Sequence, residues 1–226
     1  MDMFIFYGLV IIALIISMAA SSFISAWYKK TSKMISERGL SGKEVARQIL
    51  DKNDLRNVKV EPIDGQLTDH YDPSSKTVRL SEGIYNEKTV AAISVASHEC
   101  GHAIQDKNGY FFLKFRRSIV PLVNLASKLG YVAIILGLIL SSVGLIKIGI
   151  IAECVILLFQ LVTLPVEFDA SKRALKLIDD YSMVTPSEHK YAKKMLSSAA
   201  LTYVAAVTST LISILRLVLI FAGNRD

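Results

Sequence analysis

Apolar residues in this chain follow two regimes. In the first, long stretches are almost free of charge: residues 4–26, residues 130–164, where only Lys147 and Glu153 interrupt, and residues 199–221. A hydrocarbon core of roughly 30 Å takes about 20 helical residues. The first and last stretches are thus one span each, and the middle one, 35 residues long, is two spans with a turn near Gly144 to Gly149. The spans are expected at about 4–26, 122–143, 147–164 and 199–221. In the second regime the apolar positions are periodic and short. Ser41-Gly42-Lys43-Glu44 has the form of a capping box, and Val45, Ala46, Ile49 and Leu50 give one apolar face to a helix ending near Asp51. Residues 58–62, 66–71 and 77–80 lean towards strand, with Asp72-Pro73-Ser74-Ser75 as a turn before the last of them. A further helix, capped by Asn86, is expected to run to about Asp106 and stop at Asn108-Gly109. The pattern predicts an α-helical membrane protein with about four transmembrane helices. Its small α+β part, about residues 30–113 plus 166–197, forms one domain with those helices.

Composition agrees: 52% of residues are hydrophobic and the mean hydropathy is +0.41. The net charge of +6 raises nucleic acid as a partner, but the cations sit beside the apolar runs, where lipid head groups meet them. Lys29, Lys30, Lys33, Lys114, Arg116, Arg117, Lys172, Arg173, Lys176, Lys190, Lys193 and Lys194 all fall on one side, against Asp2, Lys147, Arg225 and Asp226 on the other. By the positive-inside rule the polar part lies in the cytoplasm and both ends outside, with the bilayer and no nucleic acid as partner. Asp2, rather than a cation, precedes the first run, which therefore reads as a retained anchor. Cys100 and Cys154 are too few for a disulfide framework.

The candidate chemistry lies in Ser97-His98-Glu99-Cys100-Gly101-His102, an H-E-x-x-H pattern. On a helix, His98 and His102 share one face and can reach one metal ion, while Glu99 faces the water bound to it. Zinc lowers the pKa of such a water to about 7, and a carboxylate beside it takes the proton. The small side chains around the motif, such as Ala91, Ala92, Ser94 and Ala103, let other backbones approach. A hairpin of two spans returns the chain to the motif side at Glu167, which supplies the third ligand of a His2Glu site for one Zn2+ per chain.

Other residues are weaker candidates. His70 reads as a surface or supporting histidine, His189 as solvated, Cys100 as a small buried residue on the far side of its helix, and Asp169 as a supporting carboxylate. Tyr203 lies on a stripe with Ala199, Ala206, Thr210 and Ser213, and its hydroxyl could stabilise an oxyanion or simply sit at the interface. Gly130, Ala133, Gly137, Ser141 and Gly144 form a small-residue stripe for helix packing within one chain or between copies. Glu153 could pair with Lys128 or reach the interface. Residues 77–80 could bind an extended substrate by strand addition or be an ordinary sheet edge. Two rival functions stand beside hydrolysis: a scaffold or regulatory protein with structural zinc, completed by Cys100, His70 or Asp169, and a small transporter, for which no repeat is evident.

Four stretches together resemble the YugP family of bacterial neutral zinc metallopeptidases: Leu67-Thr68-Asp69-His70-Tyr71-Asp72-Pro73 through Arg79-Leu80-Ser81, the motif with Ala103-Ile104-Gln105, Glu167-Phe168-Asp169-Ala170-Ser171, and Ala200-Leu201-Thr202-Tyr203-Val204-Ala205-Ala206. The resemblance covers nearly the whole chain. It implies a gluzincin-type metalloendopeptidase of the bacterial plasma membrane with a zincin-like cytoplasmic part, acting on peptides or membrane proteins. His98, His102 and Glu167 would hold zinc and Glu99 would be the base. It also implies distant kinship with HtpX-type membrane proteases, whose Glu-x-x-Ala-Asp pattern is met at Glu167 and Ala170 but departs at Ser171.

Overall fold

The computed structural model describes residues 3–223, and side chains from residue 7 to 220. In chain order it has α1 (Met3–Thr31), α2 (Gly42–Lys52), β1 (Lys59–Ile63), β2 (His70–Asp72), β3 (Thr77–Ser81), α3 (Glu82–Tyr85), α4 (Val90–Lys107), α5 (Phe111–Ile139), α6 (Val143–Asp180) and α7 (Pro186–Gly223). It is mostly helical, with one small mixed sheet. The described parts of α1, α5, α6 and α7 are each long and apolar enough to cross a membrane. Asp2, Arg225 and Asp226, used above to count charge, lie outside the described residues. The chain forms two compact units. One contains the described residues up to Ser21, Lys114–Leu164 and those from Thr202 onward; the other contains Ser22–Leu113 and Pro165–Leu201.

In the first unit α5 and α6 form the expected hairpin, but the turn lies at residues 140–142 rather than at Gly144 to Gly149. The Ser142 N–H donates to the Gly137 carbonyl at 2.9 Å, and Ser141 takes a left-handed φ of +50°. The glycines read as a turn are helical because one of them is needed for contact: a Cβ on Gly149 would stand 2.3 Å from Ile134 Cγ1. Gly130 meets Ala152 and Gly137 meets Ile146 in the same way, so these members of the small-residue stripe face the other arm of the hairpin. Ser17 on α1 and Ser209 on α7 share a hydrogen bond of 3.0 Å. Glu153 lies in the field of Arg216 on α7, a neighbour the sequence reading passed over.

In the second unit the sheet order is β1-β3-β2, with β1 parallel and β2 antiparallel to β3. β3 is therefore the middle strand, and both its edges are already hydrogen-bonded. The expectation that residues 77–80 could receive a substrate strand is overturned for residues 77–79, whose two backbone edges are both paired. The Asp72 turn forms as read: its carboxylate accepts the Ser74 N–H at 2.9 Å and the Ser75 hydroxyl at 2.6 Å. Of residues 66–71 only the last two pair in the sheet, since Gly65 and Leu67 take positive φ of +98° and +57° and hold the chain in a loop.

α2 starts at the capping box, where the Ser41 N–H and hydroxyl both donate to the Glu44 carboxylate at 2.8 and 2.7 Å. Those bonds hold Glu44 below its ordinary pKa. Val45, Ala46, Ile49 and Leu50 are buried, as their spacing predicts. α4 is capped by Thr89, whose hydroxyl accepts the Ala92 N–H at 3.2 Å, and not by Asn86. The chain leaves β3 straight into the single turn of α3, and Asn86 closes that turn instead. The far end is as expected, at Asn108 and Gly109 with φ +63°. α4 is buried along nearly its whole length in a core with Ile49, Leu50, Leu80, Ile84 and Ile178. α6 continues unbroken past Leu164, so the residues after the expected span belong to the same helix.

Candidate metal centre

One turn of α4 separates His98 from His102, and their rings stand nearly perpendicular with centroids 4.8 Å apart. Between them Gly101 turns to α6, where a Cβ would come within 2.8 Å of the Ala170 carbonyl oxygen. Only a glycine lets the two backbones approach this closely, and the approach brings in Glu167 one turn before Ala170. Glu167 Oε2 lies 3.3 Å from His98 Nε2 and 3.6 Å from His102 Nε2. The ligand atoms of all three residues lie within 4.8 Å of one another. Tetrahedral zinc with bonds of about 2.0–2.1 Å keeps its ligands about 3.3 Å apart, so the two Glu167–histidine separations are near that value and the donor set has the chemistry that zinc takes.

The site is dry. Glu99, His102 and Glu167 are 7%, 8% and 5% exposed. Burial pushes the Glu99 carboxyl up, and Glu167 and Asp69 push the same way against the pull of His98 and His102. Burial also pushes Glu167 up, but the hydrogen bonds from His102 and His98 outweigh it and leave the carboxyl well below the usual range. For His102 burial acts downward, and the hydrogen bond and charge of Glu167, with the charge of Glu99, more than offset it, so the ring lies above an ordinary histidine. Asp69, raised by burial, is held by the Ser81 N–H and hydroxyl at 2.7 and 3.0 Å.

A second layer of contacts surrounds the imidazoles. His98 Nδ1 meets the Ser171 hydroxyl at 3.2 Å, so the residue that departs from the Glu-x-x-Ala-Asp pattern takes a place against this ring. His102 Nδ1 meets Gln105 Oε1 at 3.0 Å, and Gln105 Nε2 donates to the Val166 carbonyl and to Asp169 Oδ2, both at 2.8 Å. Asp169 also accepts from Arg173 Nε at 2.6 Å. Sequence reasoning gave Gln105 no role. The available signal was its place three residues after His102, on the same helix face.

The other candidates lie elsewhere. Cys100 is fully buried with its thiol directed at the Ala46 carbonyl, 3.6 Å away, and burial pushes that thiol up. His70 is on β2, its Nδ1 2.8 Å from the Thr68 carbonyl. His189 is half-buried, 2.6 Å from Asp179, rather than fully solvated. Tyr203 belongs to the other compact unit. A cavity of about 400 Å³ between α6 and α7 has Phe168, Ser171, Leu175 and Leu196 in its wall.

The comparisons with known proteins point the same way as the donor set. The family described as "Putative neutral zinc metallopeptidase" matches residues 6–222. The chain is 46% identical, over 222 residues, to the Bacillus subtilis (strain 168) protein named "Putative membrane protease YugP", covering 98% of this chain and 99% of that one. No solved structure matches. That relative and the four apolar helices make this a membrane protein, and a match over nearly its whole length makes the chain a member of the neutral zinc metallopeptidase family.

Proposed function

We propose that this protein is a membrane-embedded zinc endopeptidase that cleaves peptide bonds at the cytoplasmic face of the bacterial plasma membrane. The observation that carries the reading is the cluster of His98, His102 and Glu167, with ligand atoms within 4.8 Å of one another, beside a buried carboxyl, Glu99. His98 Nε2, His102 Nε2 and a Glu167 oxygen hold one zinc ion. When bound, that ion acts as a Lewis acid on the scissile carbonyl and makes water acidic enough to be deprotonated near neutrality. Glu99 accepts the proton of the attacking water as the new C–O bond forms. It then passes that proton to the amide nitrogen as the C–N bond breaks, leaving a carboxylic acid and an amine. A carboxylate whose proton affinity is raised by burial, as that of Glu99 is, takes the proton from the attacking water more readily.

A structural zinc site needs a fourth protein ligand, and the side chains that could provide one are engaged elsewhere. Cys100 points to α2, His70 to Thr68, and Asp169 to Gln105 and Arg173. This favours a position left for water and substrate. The test is Glu99→Gln in purified protein. Zinc should remain at one equivalent while cleavage of casein, or of the protein itself, falls by about 10²–10⁴-fold; cleavage at the original rate would refute the assigned base. The cytoplasmic placement predicts that a reporter fused after Lys33 is protected from external protease in intact cells, and its digestion would invert the topology.

A further inference from the structure

Gln105 is fully buried, so no solvent competes for its amide, and the two ends of that amide are not interchangeable here. One end lies 2.8 Å from the Val166 carbonyl oxygen and 2.8 Å from Asp169 Oδ2. Both partners are acceptors, so that end must be the NH2 group and both its hydrogens are used. Asp169 is held in place by Arg173, one turn further along α6. The other end, Oε1, is then obliged to face His102 Nδ1 at 3.0 Å. A carbonyl oxygen brings no hydrogen, so the ring nitrogen has to supply it. His102 therefore carries a proton on Nδ1, and Nε2, 3.6 Å from Glu167 Oε2, is the nitrogen left to face a metal at the point shared with Glu167 and His98.

His98 is held differently. Its Nδ1 meets the Ser171 hydroxyl at 3.2 Å, and a hydroxyl can donate or accept, so it places no demand on the tautomer. From this contrast we propose that Gln105 is a positioning residue that holds the Nδ1 proton of His102 and so reserves Nε2 for the metal, with the choice imposed from α6 by Val166 and Asp169. The proposal rests on the ligand set proposed above.

The test uses full-length protein labelled with 15N-histidine in detergent micelles. The chain has four histidines, so four pairs of ring-nitrogen signals suffice, and His102→Gln assigns the one in question. In zinc-loaded protein His102 should show a protonated Nδ1 and a metal-bound Nε2. A mixture, or the opposite tautomer, overturns the proposal without any variant of Gln105. Gln105→Met keeps length and removes both polar ends; it should shift the His102 Nδ1 signal and weaken zinc binding by about 10–100-fold. A Met variant with unchanged shifts and zinc affinity would also overturn the proposal. Neither readout involves peptide cleavage, so an inactive protein with the predicted tautomer would refute the peptidase reading and leave this inference standing.

Discussion

At Gly101 the atom that an added Cβ would strike is the main-chain oxygen of Ala170, whereas at Gly149, in the α5/α6 hairpin, it is a side-chain carbon of Ile134. The same residue type makes both contacts, but their consequences differ. Ile134 can change rotamer, so an alanine at 149 is absorbed at some cost in packing. Ala170 O belongs to a helix backbone and cannot move without carrying α6 with it, and α6 bears Glu167 one turn away. In the hairpin close packing sets stability, and in the second unit it sets the distance between a carboxylate and two imidazoles.

This contrast can be tested by breaking each side in turn. The largest effect is expected for Gly101→Ala. A displacement of about 1 Å between catalytic groups costs about 10²-fold in rate, so cleavage should fall by about that factor and zinc affinity with it, while circular dichroism stays that of folded protein. Unchanged cleavage would show that the α4/α6 contact does not set the site. Gly149→Ala should do the reverse, lowering resistance to denaturation by SDS by about 1–3 kcal/mol with zinc affinity unaltered.

Acidity sharpens the comparison further, because zinc and protons compete for His102. The ring's raised pKa means that metal-free protein gains stability from this histidine below its ordinary value of 6.5, and loses it as pH rises through the raised value. Zinc must displace that proton, so zinc binding weakens in the other direction, by up to about tenfold for each unit of pH fall. The rise in melting temperature on adding zinc should thus shrink steadily below neutrality, and a rise independent of pH would remove His102 from the ligand set. The smallest effect is local to α2: Ser41→Ala removes a cap and should cost about 1 kcal/mol in denaturant titrations, with no change in metal binding.

The residues that came together in the site were visible in the sequence for unequal reasons. His98 and His102 are fixed by helix periodicity alone, and Glu167 followed from counting spans and ligands, neither of which requires knowing how helices pack. Gln105 and Ser171 have no such signal: what each touches depends on the rotation of α6 against α4, which a single chain's pattern does not encode. The same limit explains the misplaced hairpin turn. Gly144 and Gly149 carry the composition of a turn, yet one of them is used to let a neighbour approach, while Ser141 accepts the left-handed conformation instead. The strand of residues 77–80 was legible as a strand and not as the central one, because sheet order is decided by contacts distant in sequence. Thr89 and Asn86 are both good caps, and the extra turn of α3 between strand and helix decided which of them opened α4.

Cys100 sits between the two imidazoles in sequence yet faces α2, sealed from solvent, while Cys154 is exposed. A membrane-permeant alkylating reagent can therefore modify Cys100 only while α2 and α4 are momentarily parted. In a Cys154→Ser background, its labelling rate becomes a clock for that opening, kept by an atom on the motif helix itself and readable by mass in the resting protein.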